Sequence, residues 1–342
     1  MRRDIRNLLN DELKKRIIEL GEPAYRADQI YSWLFKKGAA GFDEMKNLAK
    51  DLIQKLDKNF YISPIELEKH QVSNDGTEKF LFKLHDGEYI ETVLIRSGSR
   101  NTICISSQVG CRYSCVFCAS GRGGFTRDLS CSEIVAQLLY LIHKRKINVT
   151  NIVFMGMGEP LDNYKNVETA IKIINDSKGM DIAARRITVS TSGIVPGIEH
   201  LKSLGIQINL SISLHAANQE LRKKIMPVAA KKYSLAKLLR ACKHYVEFTG
   251  RLITLEYVLL KDLNNTDNDA AALAEIAGAL RSKVNLLPYS PVNRINSLVP
   301  DEDNIARFAM LLRRRNVGVT VRESKGKDIN AACGQLAGRF KR

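Results

Sequence analysis

Long apolar runs are missing from this 342-residue chain; none approaches the roughly 18–20 residues of a membrane span. The start, MRRDIRNLLNDELKKRI, mixes charges with apolar residues and has no signal-peptide block. Low-complexity segments and internal repeats are missing too, and 44% apolar with 26% charged residues excludes a wholly disordered or fibrous chain. These absences lead us to expect a soluble, cytoplasmic protein with no membrane partner, and a monomer by default. Acidic residues are in short supply: 37 Asp plus Glu stand against 53 Lys plus Arg, a formal +16. Such a surplus attracts polyanions, RNA or DNA first among them, although a solvated basic surface that aids solubility is the plainer alternative.

Cysteine is what the chain has in an unusual pattern. Seven cysteines, an odd number in a cytosolic chain, argue against a disulfide framework and towards metal or thiol chemistry. Cys131 and Cys242 lie in helical patterns without companions and read as core packing. Cys111, Cys115 and Cys118, in GCRYSCVFCASG, are spaced C-x3-C-x2-C at the C-terminal end of the strand TICIS. Three thiolates on one loop suit a soft metal or an iron–sulfur cluster. Zinc is the competing reading, but its structural sites generally pair two C-x2-C or H-x3-5-H spacings. No second pair exists here, and no histidine lies near the loop.

Residues 1–60 read as helical, with Leu8, Leu9, Leu13, Ile17, Ile18 and Leu20 at helical spacing. We expect a helical accessory domain over 1–70, a packing unit or an RNA grip, and a β-hairpin connector over 71–100, where KFLFKL and YIETVLI flank the turn HDGE. Beyond residue 100, apolar strand candidates at 102–106, 151–156, 186–191, 208–213, 252–260, 284–290 and 317–322 alternate with amphipathic stretches. That order predicts an α/β fold, a partial barrel of about six units over 101–325, with its site at the C-terminal strand ends. The segment 326–342 reads as a loop or short helix. From 313 onward nine Lys/Arg face Glu323 and Asp328, the steepest charge bias in the chain.

The cysteine spacing, with Phe117 just before the last cysteine, resembles the radical S-adenosylmethionine (SAM) superfamily. There, three cysteines hold a [4Fe-4S] cluster whose open iron is chelated by SAM, and that superfamily's fold is a partial α/β barrel, here of (β/α)6 type. The resemblance implies SAM contacts at Gly158 and Glu159 in MGMGEP, Ser190 in STSG, and Ser213, Leu214 and His215 in SLH. Alone, Ser190 reads as a turn residue and His215 as a satisfied buried histidine. CISSQVGC, MGMGEP, STSG, SLHA and DINAACGQLAG, in this order, narrow the resemblance to the RlmN/Cfr family of RNA adenine methyltransferases. The family usually has Asn as a SAM contact after the strand near 290; this chain has Ser290 in LPYSPV.

The resemblance implies a mechanism using two SAM per turnover. Cys333 is methylated by the first. A radical from the second takes hydrogen from that methyl group, and the resulting carbon adds to the adenine. A base, matched to Glu91, removes the ring proton; a carboxylate in an otherwise apolar strand is unusual, though a solvent-facing position is the plainer alternative. Cys104, seven residues before Cys111, then attacks Cys333 and leaves a transient disulfide. The motifs look like the RlmN side of the family, which implies C2 of an adenine in 23S ribosomal RNA and in some tRNAs, with flavodoxin or ferredoxin as electron donor. A Cfr-like C8 methyltransferase, a radical SAM enzyme acting on a small molecule or protein, and a zinc-stabilised RNA-binding module without catalysis are the alternatives.

Overall fold

The computed structural model describes residues 2–292 and 296–338. At the N-terminus, α1 (Asn10–Glu19) buries Leu13 and Ile17, α2 (Tyr25–Phe35) buries Ala27, Ile30, Tyr31, Leu34 and Phe35, and α3 (Lys50–Asn59) buries Leu52 and Leu56. Leu8 and Leu9 precede α1 rather than belonging to it, and Ile18 faces solvent. Asp4 accepts from the Arg6 and Ser63 amides, at 2.9 Å each, and so closes the unit where its ends meet.

Ten strands form one sheet: β1 (Glu66–Val72), β2 (Glu78–Lys83), β3 (Tyr89–Ser97), β4 (Arg100–Cys104), β5 (Asn151–Phe154), β6 (Ile187–Thr191), β7 (Asn209–Ser213), β8 (Thr254–Leu259), β9 (Lys283–Pro288) and β10 (Val319–Val321). Their order in the sheet is their order in the chain. Strands β1 to β4 pair antiparallel, and β4 to β10 pair parallel. Parallel neighbours need crossovers, and each of the six carries a helix: α4 (Cys131–Leu139), α5 (Tyr164–Asn175), α6 (Val195–Lys202), α7 (Leu235–Thr249), α8 (Asp267–Ala279) and α9 (Glu302–Arg313). The expected six α/β units are therefore present.

The expected hairpin of 71–100 is present as β2 against β3, and it continues the barrel sheet. One expectation changes: β1 begins at Glu66, inside the stretch assigned to the helical domain. β1 is mostly exposed, so its residues carry no apolar alternation by which a strand could be read. The C-terminal segment holds one short 3-10 turn, Lys327–Ile329, and is otherwise irregular. Of its basic residues, Arg339, Lys341 and Arg342 lie outside the described residues. Among the described residues no helix is long and apolar enough to cross a membrane.

Candidate active site

The cysteine loop leaves β4 and is held by a two-stranded ribbon, Gln108–Gly110 against Phe125–Asp128. Further ties fix its path. The Val116 amide donates to Ile225 O (3.0 Å), Arg122 donates to Val116 O (3.0 Å), and the buried Tyr113 donates its hydroxyl to Asp162 (3.1 Å). Cys111, Cys115 and Cys118 are half-buried on this loop. Burial pushes the Cys111 thiol up to about 12 and Cys115 well above its ordinary value, so a bound cation would have to drive their deprotonation. Among the described residues, no three His, Cys, Asp or Glu side chains converge on a single ion position.

A cavity of about 220 Å³ opens beside the three cysteines. It is lined by Gly158 and Glu159 after β5, Ser190 on β6, Ser213 on β7, His215, Ser290 after β9, and Cys333. Alternation along β6 puts Ser190 on the face opposite the buried Val189 and Thr191, and its hydroxyl lies 3.4 Å from that of Ser213. Gly158 has φ +97, and a Cβ there would stand 2.5 Å from the side chain of Gln108. The glycine lets the loop close against the ribbon.

Several expected contacts carry structural duties as well. The Glu159 carboxylate accepts from the Ser192 amide (2.6 Å) and the Leu161 amide (3.0 Å), which joins the β5 and β6 ends. Burial raises its pKa, and those amides counter the rise. His215 accepts at Nδ1 from the Val258 amide (3.0 Å), leaving the proton on Nε2. Its ring meets Phe117 edge-on at 4.6 Å, and burial followed by the nearby Arg222 lowers its pKa to about 3. Leu214 is fully buried and does not line the cavity; its amide donates to Glu256 O.

Of the three residues expected to act on substrate, the cavity receives one. Cys333 is exposed into it, with Arg322 close enough to favour its thiolate against the burial that raises its pKa. Cys104 is buried behind, near enough to Cys333 to interact electrostatically, and pushed up to about 12 by burial. All seven cysteines are free, so no disulfide joins Cys104 to Cys333 here. Glu91 does not line the cavity. Its Oε2 accepts from the amides of Ala337 (2.7 Å) and Gly338 (3.1 Å), and its Oε1 pairs with Lys79 (2.9 Å). Sequence reading missed Glu256, which lines the cavity from β8. One of its oxygens accepts from Ser211 and Asn285, both at 3.1 Å; the other has no partner among the described residues.

A parallel partial barrel with a C-x3-C-x2-C loop over a cavity at its strand ends defines a radical SAM enzyme. Residues 105–274 match the radical SAM superfamily, and residues 3–62 match the ribosomal RNA large subunit methyltransferase N-terminal domain. The chain is 45% identical over 329 residues to the "Probable dual-specificity RNA methyltransferase RlmN" of Bacillus velezensis, covering 95% of this chain and 90% of that protein. To the protein so named from Clostridium novyi it is 44% identical over 336 residues, covering 97% and 98%. The crystal structure of a radical SAM methyltransferase from Sphaerobacter thermophilus superposes with a TM-score of 0.93 at 40% identity, covering 98% of this chain and 99% of that one. The chain belongs to the RlmN family. It is a SAM-dependent methyltransferase, and its family implies a [4Fe-4S] cluster and SAM.

Proposed function

We propose that this enzyme methylates C2 of an adenine in 23S ribosomal RNA and in some transfer RNAs, acting in the cytoplasm. The observation that carries the reading is the single cavity that brings Cys333 together with the three loop cysteines and the polar strand ends. When bound, a [4Fe-4S] cluster on Cys111, Cys115 and Cys118 supplies the electron that cleaves SAM, and with it the radical that takes hydrogen from an S-methyl group. Flavodoxin or ferredoxin suits the role of electron donor.

The chain's residues do the rest. Gly158 and Glu159 hold the amine end of SAM, and Ser190, Ser213, His215 and Ser290 take its other polar groups. The Cys333 sulfur accepts a methyl group from one SAM by displacement; a second SAM is consumed in each turnover. Bonded through that carbon, Cys333 joins C2 of the adenine, the adduct radical gives one electron back to the redox partner, and Glu91 takes the ring proton. Cys104 then attacks the Cys333 sulfur, the product carbon leaves with the C–S electron pair and takes up a proton, and an external thiol reduces the Cys104–Cys333 disulfide left behind.

Mass spectrometry of RNA incubated with enzyme, SAM and reductant tests this reading. It should find 2-methyladenosine; 8-methyladenosine would assign the Cfr-type reaction instead. Cys333→Ala should abolish methyl transfer, and Cys104→Ala should accumulate a protein–RNA crosslink. Normal product from both variants would overturn the mechanism.

A further inference from the structure

We infer that Lys79 is a positioning residue for Cys333: paired with Glu91, it clamps both flanks of the loop that carries this thiol. Lys79 Nζ lies 2.9 Å from Glu91 Oε1, and both side chains are more than nine-tenths buried. The same ammonium donates to the carbonyl of Asn330 (3.1 Å), three residues before Cys333. The other Glu91 oxygen accepts from the amides of Ala337 (2.7 Å) and Gly338 (3.1 Å), four and five residues after it. One ion pair therefore reaches both ends of the span 330–338. Between them the span rests on the cysteine loop, where the Ala119 amide donates to Gly334 O and the Ser120 hydroxyl to Leu336 O, both at 2.6 Å.

The register explains why these two side chains meet. Leu81 lies opposite Glu91, and Lys79 opposite Val93, so the ion pair is a diagonal pair on one face of β2 and β3. Gly338 allows the close approach: its φ is +65, and a Cβ there would stand 2.7 Å from Tyr89 O. Stability alone is a weak reason for a buried ion pair, since desolvation cancels much of the attraction. What this pair has that an apolar pair would lack is directional hydrogen bonding to two separate backbone points. Those two points set where the Cys333 sulfur stands over the cavity.

The inference rests on Cys333 being the methyl carrier. Its test uses the full chain with reconstituted cluster, comparing wild type with Lys79→Met, Lys79→Arg and Gly338→Ala. Three quantities are read: S-methyl occupancy of the Cys333 peptide, thermal midpoint, and 5'-deoxyadenosine formed per adenine methylated. A misplaced carrier uncouples SAM cleavage from methyl transfer, and misplacement by about 1 Å can cost ~100-fold. Lys79→Met should therefore raise that ratio at least ~10-fold, and Lys79→Arg should restore most of the coupling. Gly338→Ala, which moves one flank with the ion pair left in place, should raise the ratio as well. It carries the test if Lys79→Met fails to fold. A wild-type ratio in Lys79→Met or Gly338→Ala, or loss of deoxyadenosine and product in equal proportion, would overturn the clamp. A wild-type enzyme that methylates RNA with no S-methyl on Cys333 would instead overturn the carrier reading, and the clamp with it.

Discussion

His215 sits in a buried site where its imidazole is held neutral, with its pKa lowered from 6.5 to about 3 by burial and by the Arg222 charge. The unfolded chain thus binds a proton that the native chain refuses between pH 6.5 and about 3, so stability falls as pH falls through that window. The slope for one such group is about 1.4 kcal/mol per pH unit. His215→Gln should be less stable than wild type at pH 7 yet lose about 1.5 kcal/mol less between pH 6.5 and 5.0; urea denaturation at the two pH values measures the difference. Equal losses would place the titration on another residue. Single residues were legible where chemistry is written locally, as in the cysteine triplet; the polar strand ends, spread from Gly158 to Ser290, were legible only through the family pattern. Glu256 carries the same mark as Glu91, a lone carboxylate in an apolar strand, but only Glu91 had a place in the family pattern. Lys79 carries no mark at all. In EKFLFK it looks like an outward-facing strand lysine, and it is buried with the help of a segment 251 residues away.

Helix α4 shows how an element next to the cysteine loop is started and held. Ser130 and Glu133 form a capping box: Ser130 Oγ accepts from the Glu133 amide, and the Glu133 carboxylate accepts from the Ser130 amide at 2.8 Å. Arg127, at the end of the ribbon, donates to both oxygens of the same carboxylate (2.9 and 2.8 Å). Ser130→Ala should lower stability by about 1 kcal/mol, within the ~0.5–2 range of such caps, and denaturant unfolding reads it directly. No loss would mean that the Arg127–Glu133 pair fixes the helix start unaided. The crossover helices were legible because each shows one apolar face, as in NVETAIKIIND. β1 was not, since an edge strand wetted on both sides has no face to betray.

Across the whole molecule, the +16 surplus gives RNA binding a measurable signature. Arg314 and Arg315 stand exposed just past the end of α9. Replacing both with Glu should weaken RNA binding and flatten the dependence of log affinity on log salt by about 1–2, since each phosphate contact contributes about 0.7–0.9. An unchanged slope would locate the RNA on another face. Strand order has a consequence in time. Every strand of the sheet pairs with the one before it in the chain, so each ladder is complete as soon as its later strand has been synthesised. The contacts of residues 326–338 with the turn and strands of 73–91, and with Ala119 and Ser120 of the cysteine loop, must wait for the far end of the polypeptide. During synthesis the three-cysteine loop therefore exists well before the thiol that will cover it, and the nascent enzyme passes through a stage at which this pocket lies uncovered.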